Sequence, residues 1–417
     1  MTAVNPVVIL MGLLVLSYLG SFLVAGRTVS GAGLPSGVEY AALGFVLGPR
    51  VLDVVGSDML TAFEPVVQVA IGWLAFAVGL DFGYAADRRV RLGSFAFGSL
   101  SALLTGGAVA AATWYAASRL QVGATGVERL LLAGGVGAAC SETTRHAVRW
   151  VVERHGAHGP LADRLNELAH TYHLVPLLAV AVLFALEPTR NVTVRLPVRD
   201  WPAITVGLGL LLGAGTTLLL RSELRLEDAW GLLFGVSLIG IGTAARLALS
   251  TLTASFFAGF AVSVLSRHGR DIREMVAPTE RPVLLPALLL AGARLDFRAS
   301  SALPWIAAAA IGARIVAKVF VGWLLAVFSS PARKGGVLVG LSLASSGALA
   351  MSIGLAFALR FPGAIGDTVL VIAVLSATVG EFVGPVRLRR TLELAGEIER
   401  VPRGGAAASD ERVRGAT

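Results

Sequence analysis

The stretch GGVGAACSETT, residues 134–144, decides how this chain is read. It lies inside an apolar run, yet it is made of glycine, alanine and hydroxyl residues and carries a carboxylate, Glu142. A second stretch, VGLSLASSGAL at 339–349, has the same texture. Both runs are long enough to cross a bilayer, which takes ~20 residues of helix. Gly134, Gly135 and Gly137 in the first stretch leave helical geometry cheaply, as do Gly340 and Gly347 beside Ser342, Ser345 and Ser346 in the second. Backbone groups freed at membrane depth must face protein, a cavity or an ion. The same small residues also let helices pack closely, and both uses stand together at this point.

Outward from these stretches the chain is apolar almost throughout. Its 417 residues are 55% hydrophobic and 15% charged, with a mean hydropathy of +0.75. That leaves too little polar surface for a soluble chain of this length. The fold class is an all-α polytopic membrane protein. Thirteen spans are expected, near 6–25, 37–53, 60–80, 93–117, 128–148, 167–187, 201–220, 229–248, 250–266, 282–297, 303–328, 335–359 and 366–386. The ten-residue alternation of a membrane β-barrel is absent. The first run has no basic residues ahead of it and reads as a retained span, not a cleaved leader.

Net charge is +8 from 35 basic and 27 acidic residues. The arginines are scattered over short loops, which points to membrane orientation and not to nucleic acid. The richer loops follow spans three, five, nine, eleven and thirteen, while the loop after span six, with Arg190, Arg195 and Arg199, breaks the trend. That puts the C-terminus in the cytoplasm and the N-terminus outside. The single cysteine, Cys140, cannot form an internal disulfide. The closing VPRGGAAASDERVRGAT reads as a disordered tail with no soluble domain after the last span, and no glycine fingerprint calls for an organic cofactor.

The two small-residue stretches belong to spans five and twelve. A second echo links FAVGLDF at the end of span three to LAGARLDF at the end of span ten. Both pairs are seven spans apart. An odd separation turns the second copy upside down, the arrangement of inverted-repeat transporters with broken helices at the ion site.

Charged groups at depth supply the candidate site. Arg314 and Lys318 in span eleven share one helix face, two to three turns from the nearer end. Lysine is the one of the two that can shed its proton, so Arg314 reads as a fixed counter-charge. In span five, Glu142 lies between Ser141 and Thr143. It is either a titratable ligand or the local partner of Arg145 or His146. Span six opens LNELAHTYHL, adding Glu167, His170, Thr171 and His173. Five of the six histidines fall between His146 and His173 without the tight spacing of a zinc site. They fit a cluster responsive to pH better. Asp81 and Asp296 close their spans and read as helix-end pairing residues. Glu381 reads as lying near the inner end of span thirteen, facing Arg387 or headgroups.

The ordered set ALGFVLGPRVL, LAFAVGLDF, TASFFAGFAVS, PALLLAGARLDF, GARIVAKVFVGWLL, GLSLASSGALAMSI and VGEFVGPVRLRRTLELAGEI resembles the monovalent cation:proton antiporter superfamily of Kef-type and sodium/hydrogen exchangers. The resemblance implies an exchanger-like membrane domain over 1–390 and a short tail over 391–417. Core spans would lie at 93–187 and 303–386, with dimer and scaffold spans at 6–80 and 229–297. It implies two crossing broken helices, a homodimer in the plasma membrane, and exchange of sodium or potassium for protons without covalent chemistry. The basic residue of the ion site falls on Lys318, with Arg314 a turn away. The family's span-six aspartate is missing, and its place is taken by Thr171 or His173. The acids left to bind the cation are Glu142 and Glu167, with hydroxyl oxygens from Ser141, Thr143, Thr144 and Thr171, and Ser345 and Ser346 of span twelve join the candidate site. Two rival readings remain: a same-fold transporter of a small anion or other solute, and a transport-inactive scaffold or sensor.

Overall fold

The computed structural model describes residue 12 and residues 37–87, 92–123, 125–187, 197–220 and 226–398. The expected first span and most of the tail lie outside the described residues. Every described element is helical: α1 (Val38–Leu47), α2 (Ser57–Ala62), α3 (Glu64–Asp87), α4 (Leu92–Arg119), α5 (Gly126–Ser141), α6 (Arg145–Arg154), α7 (Pro160–Ala169) and α8 (Leu174–Leu186) come first. There follow α9 (Asp200–Leu220), α10 (Leu226–Arg246), α11 (Thr251–Leu265), α12 (Gly269–Ala293), α13 (Leu303–Phe328) and α14 (Ser330–Lys334). A 3-10 helix (Val337–Leu343), α15 (Ala348–Arg360) and α16 (Ala364–Ala395) complete the order. Helices thus overlie every expected span but the first. Among the described residues seven helical segments are long and apolar enough to cross a membrane, one of them α7 and α8 taken together, and three shorter apolar helices join them. Together these make the chain a polytopic membrane protein.

Span five breaks into α5 and α6, and span twelve breaks between the 3-10 helix and α15. The glycines are not where the first break falls. Gly134, Gly135 and Gly137 all lie inside α5, where a Cβ would collide with Leu183, Phe357 and the Gly106 carbonyl respectively. They serve packing. The chain leaves the helix at Glu142, which is extended at φ −63° and ψ 144°, and Thr144 caps α6 by accepting the His146 N–H. Span six is broken as well, with a turn at residues 170–173 between α7 and α8. Pro176 sits in the first turn of α8, where its missing N–H costs no helical bond.

Two further departures concern the last third. The basic segment after span nine is helical, because α12 starts at Gly269 and accommodates Pro278, Pro282 and Pro286 internally. The last helix runs to Ala395, past the expected domain end. Glu397 then caps α7, accepting the N–H groups of Leu161 and Ala162 at 2.7 Å each.

The repeat is visible in the packing. Gly44 on α1 lies against the Leu289 carbonyl of α12, and Gly292 on α12 lies against the Ala41 carbonyl of α1. Gly79 on α3 and Gly259 on α11 make the same reciprocal contact with the Phe256 and Phe76 carbonyls. Spans two and ten, shifted by seven, are spans nine and three. So one kind of reciprocal glycine contact occurs twice, in the two span pairs that the echo relates.

Candidate functional site

The two interruptions cross. The Thr144 N–H donates to the Ser345 carbonyl at 3.0 Å, and the Thr143 hydroxyl donates to the Leu343 carbonyl at 3.0 Å. Each broken helix thereby satisfies backbone groups that the other has freed. Gly347, the residue before α15, donates its N–H to Glu142 Oε2 at 2.7 Å. The Glu142 carboxylate therefore sits at the positive end of the α15 dipole.

Arg314, 4% exposed, holds the opposite dipole end. Its Nε donates to the Cys140 carbonyl at 2.9 Å, in the last turn of α5, and its Nη2 to the carbonyl of Glu142, just past the helix, at 3.3 Å. Nη1 reaches the Ser376 carbonyl and hydroxyl, and Nη2 reaches the Ser346 hydroxyl. A rigid planar fork suits this spread of acceptors. Lys318 is fully buried. Its Nζ donates to Thr143 Oγ1 at 2.6 Å and lies 4.6 Å from the ring centroid of Tyr172. A cation over an aromatic face in a dry setting is a favourable contact. Tyr172 is itself fixed by a 2.6 Å hydrogen bond shared with Ser101.

A cavity of about 30 Å³ opens beside the crossing. That is room for a water or two. Glu142, Thr144, Arg145, His146, His170 and His173 line it from spans five and six, with Asp81 from α3 and Glu280 from α12. His173 Nδ1 lies 3.9 Å from Glu142 Oε1 and has no hydrogen-bond partner. Arg314 and Lys318 are not on its wall.

The structure brings together Glu142, Thr143, His173, Arg314, Lys318, Ser345 and Ser346, with His170 on the cavity wall. It does not bring Glu167 or Thr171 there. Glu167 is a quarter exposed and pairs with Arg164 at 3.2 Å on α7. The Thr171 hydroxyl donates to the Leu168 carbonyl at 2.7 Å and packs on Gly98. Ser141 turns its hydroxyl back to the Ala138 carbonyl at 2.8 Å. Ser345 donates to the Gly380 carbonyl at 3.4 Å. Among the described residues no cluster of three or more His, Cys, Asp or Glu forms a metal centre.

Two readings of single residues change, those of Asp81 and Glu381. Asp81 does not end its helix: it lies inside α3 and accepts from both Arg145 and Arg273. Asp296 does pair near its helix end, with Arg50. Glu381 is 3% exposed, buried inside the protein along α16 instead of turned outward. Tyr172 and Glu280 join the site without a sequence motif that marks them. The signal for Tyr172 was its place between the two positions matched to the missing aspartate.

No protein-family model and no curated protein matches the chain. Among solved structures, it is similar to the sodium proton antiporter MjNhaP1 from Methanocaldococcus jannaschii at pH 8, with a TM-score of 0.69 and 15% identity over 94% of this chain and 99% of that one. An electron-microscopy map of MjNhaP1 matches with a TM-score of 0.65 and 14% identity, over 96% of this chain and all of the other. The shared helical architecture therefore extends over nearly the whole chain.

Proposed function

We propose that the protein is a secondary transporter that exchanges a monovalent cation, sodium or potassium, for protons by alternating access, with Glu142 as the shared carboxylate. The observation that carries this is a buried acid at the crossing of two broken helices, on the wall of a cavity. Exchange needs one group that holds a proton in one state and a cation in the other. Glu142 meets that need, because Gly347 and the α15 dipole support its charged form and the cavity admits water or an ion. Arg314 and Lys318 then act as fixed and competing positive charges. Where the resembled family has its span-six aspartate this chain has His173, and His173 and Thr144 face the cavity beside Glu142. The similarity to a solved sodium proton antiporter supports the same reading.

The remaining parts follow from it. Spans at 93–187 and 303–386 form the moving core, and spans at 6–80 and 229–297 the scaffold of a homodimer. The protein resides in the plasma membrane with its C-terminus in the cytoplasm. The test is exchange in proteoliposomes with a trapped pH dye, scanning sodium, potassium and lithium. Glu142→Gln abolishes exchange on this account and Glu167→Gln leaves it. Coupled exchange that survives Glu142→Gln removes the assignment.

One observation favours a second reading. Arg314 and Lys318 face a single carboxylate at the crossing, an excess of one positive charge. A small anion would fit that balance. Uptake of a radiolabelled anion that is indifferent to sodium, potassium and lithium would replace the cation with it.

A further inference from the structure

The charges around the cavity are arranged against the usual rule for a helix. The first turn of α6 carries no acidic residue, although a helix N-terminus favours anions. It carries Arg145 and His146 instead. The anions come from other helices. Arg145 Nη2 donates to Asp81 Oδ2 on α3, and His146 Nε2 lies 3.6 Å from Glu280 Oε1 on α12. Asp81 Oδ1 also accepts from Arg273 of α12, whose guanidinium covers the Tyr84 ring at 5.0 Å. Two successive residues, directly after the break in span five, are thus tied to α3 and α12.

The cluster also lies on the solvent side of the cavity. Side-chain exposure is 2% for Glu142 and 9% for His173, 13–14% for Asp81 and Arg145, and 43% for His146. The Asp81–Arg145 pair is thus intermediate in exposure between Glu142 and His146 on the wall of one cavity. The echo in span ten lacks this feature. Asp296 pairs with Arg50, which follows α1, and α1 is already packed on α12 through Gly44 and Gly292. That pair does not reach an interrupted helix.

We infer that Asp81 is a positioning residue that latches α6 to α3 and α12, and that parting it from Arg145 opens the cavity holding Glu142. This rests on the transport reading for its purpose but not for its test. Any motion that carries α6 away from α3 has to break this contact. Charge pairs of this kind set the balance between two arrangements.

The experiment uses the full-length protein in liposomes with Val78→Cys, on the cavity wall, as reporter. The buried native Cys140 is the background, read in protein without the reporter. A charged methanethiosulfonate reagent labels the reporter. Asp81→Asn is expected to speed labelling about tenfold, which corresponds to ~1.4 kcal/mol in the opening equilibrium. Arg145→Gln should do the same from the other side, and Asp81→Glu should restore a rate near the parent's. Equal labelling rates in the parent, Asp81→Asn and Arg145→Gln would overturn the latch, as would an Asp81→Glu variant as fast as Asp81→Asn. Labelling needs no cargo. Faster labelling in a protein that exchanges no cation leaves the latch standing and removes the transport reading alone. Unchanged labelling in a protein that does exchange removes the latch alone.

Discussion

The two broken helices meet as unlike partners. The break in span five carries the charge, Glu142, and its hydroxyls, Thr143 and Thr144. The break in span twelve carries no ionisable group, only Ala344, Ser345, Ser346 and Gly347. What it supplies is backbone: the Gly347 N–H for the carboxylate and the Ser345 and Leu343 carbonyls for the two threonines. One copy of the repeat brings chemistry and the other brings oriented dipoles. A buried carboxylate is tolerable only where such dipoles and counter-charges surround it. The repeat provides them without a second acid to repel the first.

The sharpest break of this comparison is at Arg314, which joins the two halves. Arg314→Ala leaves the Cys140 and Glu142 carbonyls and two serines without their donor, and Glu142 without its nearest fixed cation. A loss of about 3–5 kcal/mol is expected, as for breaking a buried ionic network. It is checked by the thermal midpoint in detergent, with Arg314→Lys recovering only part. Next comes Gly340, where the second break leans on span eleven. A Cβ there would lie 1.8 Å from the Lys318 carbonyl and 2.6 Å from the Gly322 nitrogen. Backbone cannot give way as a side chain does, so Gly340→Ala should cost about 3 kcal/mol, the upper end of overpacking. A parent-like midpoint would mean the 3-10 helix is not held against α13.

Thr143→Val tests the hydroxyl relay from Lys318 to the Leu343 carbonyl. The shape is kept, the ammonium loses its one hydroxyl partner, and a cost of about 1–3 kcal/mol follows. The same thermal measurement reads it, and an unchanged midpoint would place the Lys318 amine elsewhere. The smallest effect belongs outside the crossing. Glu167 is partly exposed and bound to Arg164, so Glu167→Gln should change stability by no more than ~1 kcal/mol. Transport measured alongside should stay at the parent rate, and its loss would shift the site from span five to span six.

Much of this arrangement was legible in the chain. Small residues around a lone acid in one span, echoed seven spans later, located both breaks. Arg314 and Lys318 announced themselves as charges too deep to reach water. The local details were less legible, for physical reasons. Glycine within a helix serves close packing as readily as unwinding, so Gly134, Gly135 and Gly137 pointed at the right helix and the wrong turn. The break itself was made by Glu142, Thr143 and Thr144, whose partners lie some 200 residues away. The polar start of span six hid a third interruption, signalled only by Pro176. Asp81 looked like a helix-end residue because its two arginines are 64 and 192 residues distant in the chain. Short-range pattern carries elements and depth; pairing between helices is set by their assembly.

The central claim is that one carboxylate serves proton and cation in turn. It is tested most directly by adding cation to the purified protein in weakly buffered detergent solution and reading proton release with a pH dye. The account expects sodium or potassium to displace protons from the parent protein, saturably, and to displace none from Glu142→Gln. Equal release from the parent and Glu142→Gln, with both proteins folded, would contradict it.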